Sequence, residues 1–251
     1  MSVIERAVVV PRLAFLTAWT MLDLGDPPSI FGTGRHFWME DGFRRELDGK
    51  TLEWLADHGL ARRGRLNPLW TDSLRVIATA ATEFYGWSHY KDDSRGAILV
   101  AIEGTDAVRV LADADTVTVQ PVAAKWPATS LLDCLPELDG APVRTVAVEQ
   151  AFYDNPDTTP VNPLAEPVDT RDVDYLAEVM RRPRDAAHQL YTARREGDGH
   201  RVRSSPISAI DLTGQGRVLT YVTGEGNIAL TSGTPREIIV ALNDTAAGLR
   251  A

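Results

Sequence analysis

Residues 83–120 read EFYGWSHYKDDSRGAILVAIEGTDAVRVLADADTVTVQ, and this stretch decides the fold. Phe84 to Tyr90 alternates aromatic and small or polar residues, the turn residues Asp92-Asp93-Ser94-Arg95-Gly96 follow, and Ala97 to Glu103 is apolar at strand length. Gly104-Thr105-Asp106 turns the chain into Ala107 to Leu111, and Ala114-Asp115 turns it into Thr116 to Gln120. Period-two runs separated by Gly, Asp and Ser predict four strands in an antiparallel meander.

Upstream, Arg6 to Val10 predicts a short strand and Leu13 to Leu22 a helix, broken at Gly25-Asp26-Pro27-Pro28 before a loop with Gly32 and Gly34. A second helix is expected over Glu40 to His58, closed by Gly59, and a third from Pro68, behind Asn67 as cap, to about Ala81. Downstream, a helix starting near Pro127 and including Leu131, Leu132 and Leu135 ends before Pro136. The same order then recurs. Arg144-Thr145-Val146-Ala147-Val148 echoes Arg6-Ala7-Val8-Val9-Val10. A Pro-rich stretch, Asn155 to Pro167, leads to a helix with Val173, Leu176, Ala177, Val179 and Met180. Strands are expected through Ala186, His188, Leu190 and Thr192, then over Arg201 to Leu212, Arg217 to Thr223 and Asn227 to Leu230, and Pro235 opens a last helix to Leu249. Gly- and Asp-rich turns, Asp198 among their residues, separate these strands.

Two meanders with exposed strand edges predict one continuous sheet, since either alone leaves an edge open to pairing. The fold expected is α+β, with a mainly antiparallel central sheet, a pseudo-twofold repeat and two flanking helical groups. It is read as a single domain, residues 1–251, with internal repeats over about 6–138 and 144–249.

Composition excludes several classes. A hydrophobic fraction of 44% supports a packed core, and the net charge of -9, from 26 basic and 35 acidic residues, offers no phosphate-tracking surface. Nucleic acid is therefore not an expected partner. Arg62-Arg63-Gly64-Arg65 and Arg181-Arg182-Pro183-Arg184 are read as solvated helix C-termini. One cysteine, Cys134, permits no internal disulfide, which fits an intracellular address. The N-terminal run Ala7 to Val10 is too short for a secretory leader, and Ala97 to Ile102 is far below a membrane span, so no membrane insertion is expected.

Catalytic motifs are missing from the sequence. No Gly-x-Ser-x-Gly elbow occurs, Gly49-Lys50-Thr51 has Arg44 where a P-loop needs glycine, and Gly32-Thr33-Gly34 follows a helix instead of a strand. The five histidines, His36, His58, His89, His188 and His200, lack zinc-ligand spacing. His89 and His188 fall on corresponding first strands of the two meanders and are read as sheet residues near a common axis. Asp92-Asp93 and Asp198 are read as turn residues. Trp19, Trp38, Trp54, Trp70 and Trp126 are read as core anchors. No metal or cofactor is expected.

The run Leu13 to Gly25, the step Leu55-Ala56-Asp57-His58-Gly59-Leu60, and the C-terminal series Arg201 to Pro206, Ile210-Asp211-Leu212, Gly216-Arg217-Val218-Leu219 and the Pro235 helix together resemble the EspG family of type VII (ESX) secretion chaperones. The resemblance covers about residues 6 to 249 and rests on the order of short motifs. It implies a cytoplasmic, non-enzymatic chaperone that binds a PE–PPE heterodimer and covers an apolar tip of the PPE bundle, with no cofactor. The family's contact loop between the first two meander strands corresponds here to the short segment Lys91 to Gly96, and its T-W-F-D step to Ser208-Ala209-Ile210-Asp211.

The expected partner-binding residues are Lys91, Asp92, Asp93, Ser94 and Arg95 in that turn, with Leu219, Tyr221 and Ile228 on the later hairpin. Leu219 and Tyr221 share one face of their strand and Val218, Thr220 and Val222 the other, so a sheet covered on one side leaves one set free to dock. The Leu219 set is favoured because tyrosine suits interfaces. Two other classes remain open from sequence: a diverged small-molecule enzyme with a dispersed active site, and a self-associating adaptor that forms a homodimer.

Overall fold

The computed structural model describes residues 3–32, 40–154, 170–197 and 199–249; Gly34, His36, Trp38, Asp198 and residues 155–167 lie outside the described residues. The first half runs β1 (Val8–Pro11), α1 (Arg12–Met21), α2 (Asp41–Asp57), β2 (Ala61–Arg62), β3 (Arg65–Leu66), α3 (Pro68–Thr79), β4 (Thr82–Tyr90), β5 (Arg95–Glu103), β6 (Asp106–Ala112), β7 (Thr116–Pro121) and α4 (Pro127–Leu132). The second runs β8 (Val146–Glu149), α5 (Gln150–Asp154), α6 (Arg171–Arg181), β9 (Arg184–Arg195), β10 (Arg201–Arg203), β11 (Ile207–Leu212), β12 (Gly216–Val222), β13 (Asn227–Ser232) and α7 (Pro235–Gly248).

Local chemistry sets the boundaries. Asn67 accepts from Leu69 N at 2.9 Å ahead of Pro68, and Thr234 accepts from Glu237 N at 3.3 Å ahead of Pro235, each satisfying an orphan donor of a first helical turn. Gly59, at φ 75°, ends α2, and Leu60 N reaches back to Leu55 O at 2.8 Å. Arg63 and Gly64 both take positive φ and close the β2–β3 hairpin, so the Arg62–Arg65 cluster is a β-turn and not the helix C-terminus expected from sequence. In the second cluster Arg184 does donate to Met180 O in the last turn of α6.

The main sheet has the order β1-β7-β6-β5-β4-β9-β11-β12-β13-β8, with β10 beside β9, and every pairing is antiparallel. Read from either edge toward the centre, the two halves have one connectivity: the first strand at the edge, the last meander strand beside it, and the first meander strand at the middle. β4 and β9 make the junction, registered from Thr82↔Arg194 to Tyr90↔Ala186. The meanders thus form the single sheet expected.

Alternation from this register assigns each side chain to a face. On the front, α1 and α3 cover the first half through Phe15, Trp70, Leu74, Val110 and Val119, while α6 covers the far half through Leu176, Val179, Val218 and Leu230. On the back, α4 and α7 lie together over the centre with Phe84, Val100, Leu131, Leu190, Leu219 and Leu242. Full burial of such side chains stabilises by about 1.5–3 kcal/mol each before chain entropy is counted. Trp19 and Trp70 are buried anchors as expected, whereas Trp126 is 66% exposed just ahead of α4, because Pro127 starts the helix beyond it.

Candidate partner-binding surface

Helices cover the centre of the back, but among the described residues no α-helix covers the centre of the front between the two flanking groups. Gln189, in the middle of central strand β9, is exposed, and its cross-strand neighbour Trp87 and the nearby Tyr191 are only half-buried. Tyr85, Trp87 and Tyr191 form one aromatic array across the junction. The two tyrosines stack at 5.3 Å, and Trp87 meets Tyr85 and Tyr191 edge-on at 5.4 and 5.6 Å. The Tyr85 hydroxyl is buried without a hydrogen-bond partner.

Two arginines of β10 stand over this array. Arg201 lies 4.9 Å from the Tyr85 ring centroid and Arg203 5.3 Å from that of Tyr191. Arg201 also donates from Nε and Nη2 to Glu83 Oε2, at 3.0 and 2.5 Å. Their position depends on a register change. Arg203 pairs with Ala193, but Ile207 pairs with Leu190, so one extra residue enters between β10 and β11 at Ser204-Ser205-Pro206. Ser204 fixes it, its N–H donating to Thr192 O and its Oγ accepting from Thr192 N, 2.9 and 3.0 Å. Because the side-chain period is two, the insertion puts Arg201 and Arg203 on the front while Ile207 and Ala209 face the back. The single strand expected over Arg201 to Leu212 is therefore two; uninterrupted alternation would send these arginines into the core.

The turn Lys91 to Arg95 is exposed throughout and sits at the other end of the junction. Asp93 takes φ 64°, and Asp92 Oδ1 accepts from Ser94 N at 3.0 Å and Ser94 Oγ at 2.6 Å. Those bonds hold the Asp92 carboxyl below its usual range, first through the Ser94 hydroxyl and then the Ser94 amide. Lys91 Nζ lies 3.6 Å from Asp185, and His89, on the front, 3.7 Å from Asp93. The turn thus borders the open centre.

The hairpin residues do not join it. Leu219 is fully buried beneath α7, and Tyr221, also on the back, is half-buried beside the same cluster. Ile228 is on the front, but far out beside the α6 cluster. The sheet is covered on both sides at β12, with Val218 as buried as Leu219, so alternation could not identify a free face there. Leu219 is corrected from surface contact to core.

A buried polar row crosses the back of four adjacent strands, β4, β9, β11 and β12. Arg217 donates from Nε to Asp211 Oδ1 at 2.5 Å and from Nη2 to Asp211 Oδ2 and Pro136 O, both at 3.0 Å. Asp211 Oδ2 lies 3.3 Å from His188 Nε2, and His188 Nδ1 lies 2.8 Å from Ser88 Oγ. Burial pushes the Asp211 carboxyl up, yet the hydrogen bonds from His188 and Arg217, with the arginine's charge, leave it below its ordinary value. Ser88, His188 and Asp211 are the residue types of a hydrolytic triad. Here, however, the bidentate Arg217 already neutralises the carboxylate that would stabilise an imidazolium, and His188 is fully buried. The row braces the junction instead. It also fastens the linker between the halves: Arg217 N donates to Asp139 O at 2.8 Å and Ala141 N to Arg217 O at 2.7 Å. His188 thus meets Ser88, whereas His89 faces out on the other side. Among the described residues no His, Cys, Asp and Glu group has the grouping a metal ion requires. None of the described helices is long and apolar enough to cross a membrane.

An antiparallel sheet of two pseudo-twofold halves, with helices over the centre of one face and over both flanks of the other, defines an α+β protein built on a repeated strand–helix–meander order. The chain belongs to the EspG family, whose profile matches residues 11–244. In structure it is similar to the type VII secretion system chaperone EspG5 of Mycobacterium tuberculosis, solved in complex with the PE25–PPE41 dimer. The TM-score is 0.70 at 14% identity, over 95% of each chain. No curated protein matches it in sequence.

Proposed function

We propose that the chain is a cytoplasmic chaperone of type VII secretion that binds a PE–PPE-type heterodimer and keeps it soluble before export, without turnover or cofactor. The observation that carries this reading is the fold shared end to end with EspG5, a protein solved on such a dimer. The open centre of the front face gives the reading a physical basis. A client with an apolar tip needs a complementary surface with a polar rim, and half-buried Trp87 and Tyr191, rimmed by Gln189, His89 and Arg203, provide one.

In this proposal residues 1–251 act as one domain built from repeats over about 6–138 and 144–249, and the turn Lys91 to Arg95 forms one end of the contact surface. Tyr221 and Ile228 lie away from the turn, so their contribution to binding is secondary. Self-association is not required.

Mixing the purified chain with PE–PPE heterodimers from the genome that encodes it, PE25–PPE41 serving as reference, tests the reading by size-exclusion chromatography and calorimetry. A stoichiometric complex that holds the PPE partner in solution is the expected result. Failure to bind any of these heterodimers refutes it.

A further inference from the structure

We infer that Arg203, held over Tyr191, whose ring Trp87 meets edge-on, is the point at which the open face recognises a carboxylate side chain of the client, with an apolar residue of the client landing on Trp87. The inference rests on the client-binding reading and names the client's chemistry.

The two β10 arginines supply the contrast that carries it. Both stack on tyrosines of one array, at 4.9 and 5.3 Å, but Arg201 is neutralised by Glu83 within the chain, and Glu83 is buried. Arg203 is exposed and has no carboxylate within ion-pair distance among the described residues. In a chain of net charge -9, a stacked guanidinium left without an acid is a local inversion of sign on the open face. The contact with the ring restrains the side chain, so less freedom is lost when a carboxylate takes the guanidinium in a bidentate fork. The bulge at Ser204-Ser205-Pro206 turns the side chain to this face, where it is exposed. Phosphate-backbone recognition does not fit, because it needs several cations in a row and the neighbouring Arg201 is already paired.

Calorimetric titration of wild type, Arg203→Glu, Arg203→Lys and Tyr191→Leu with the same PE–PPE heterodimers tests this. Arg203→Glu is expected to weaken binding at least about 30-fold, as for an interface hot spot, with Arg203→Lys and Tyr191→Leu losing about 5-fold. Arg203→Glu should melt at the wild-type temperature, since the side chain is exposed. Replacing exposed client Asp and Glu residues by Lys, one at a time, should yield one variant that recovers most of the affinity lost by Arg203→Glu. Arg203→Glu binding within about twofold of wild type, or no client variant that recovers it, overturns the inference and leaves the chaperone reading standing. A wild-type chain that binds no heterodimer overturns both.

Discussion

Replacing Asp211 by Ala would strand the Arg217 guanidinium in the interior, and the structure sets the scale of the result. Arg217 is 2% exposed and Asp211 5%, and the carboxylate accepts both guanidinium bonds, at 2.5 and 3.0 Å, together with the His188 contact. After the substitution Arg217 keeps Pro136 O as a side-chain partner, a neutral acceptor for a buried charge. Removing one member of a buried ion pair costs about 3–5 kcal/mol, mainly through the uncompensated charge. At about 2–4 °C per kcal/mol for a chain of this size, the melting temperature should fall by about 6–20 °C. Because the same arginine ties down the linker at Pro136, Asp139 and Ala141, hydrogen exchange over residues 136–141 should quicken as well. The paired replacement Asp211→Leu with Arg217→Met should restore most of the stability, since apolar groups of similar size need no compensation. Urea unfolding of wild type, Asp211→Ala and the double variant provides the measurement. An Asp211→Ala protein within about 1 kcal/mol of wild type would show that water reaches Arg217 and that the row is not a brace.

Acid should expose the same network: the folded Asp211 pKa is depressed, so its contribution to stability is present above the unfolded value near 3.9 and is lost as pH falls through the folded one. The urea midpoint should drop below about pH 4, and Asp211→Asn should blunt that drop; an identical acid profile for the variant refutes the assignment. Gly86→Ala would place a Cβ 2.6 Å from Gln189 O and 2.8 Å from Leu190 Cδ2 at the junction, and a loss of about 1–3 kcal/mol by thermal unfolding is expected. Thr234→Ala removes the cap of α7 and should cost about 1 kcal/mol, read as a shifted chemical-denaturation midpoint. Residues 1–138 alone would expose the edge of β4 that β9 covers, and should aggregate; a monomeric, cooperatively melting fragment would contradict this.

The elements were legible because their signals are local. Asn67-Pro68 and Gly59 mark helix boundaries, and the alternation in residues 84–120 marks strands, without reference to the rest of the chain. The repeat of element order was legible for the same reason. Strand order, by contrast, could not be read from sequence, where the edge argument gave only a single sheet, and the faces could not be assigned at β12, where both Val218 and Leu219 are buried. The open surface was hidden by one inserted residue. Ser204-Ser205-Pro206 carried the available signal, since proline cannot donate to the ladder and marks a bulge or strand end, yet the apolar pattern from Ile207 onward drew the strand back to Arg201. Trp126 escaped because hydrophobicity alone does not say on which side of a helix start a residue lies.

The pseudo-twofold arrangement explains why the open surface has two different ends. β4 and β9 are equivalent and antiparallel, so the connections leaving them, residues 91–94 and 196–206, stand at opposite ends of the junction. If both connections were tight turns, the front would present the same rim twice, and a client could approach it in either of two orientations. The first is indeed short and of mixed charge, with Lys91, Asp92 and Asp93 in close sequence. The second is extended by β10 and its bulge, and brings Arg201 and Arg203 over the tyrosines. Lengthening one of two equivalent connections therefore breaks the symmetry of the surface while leaving the symmetry of the sheet intact, so a directional surface can arise on a pseudo-twofold architecture without any change to its core.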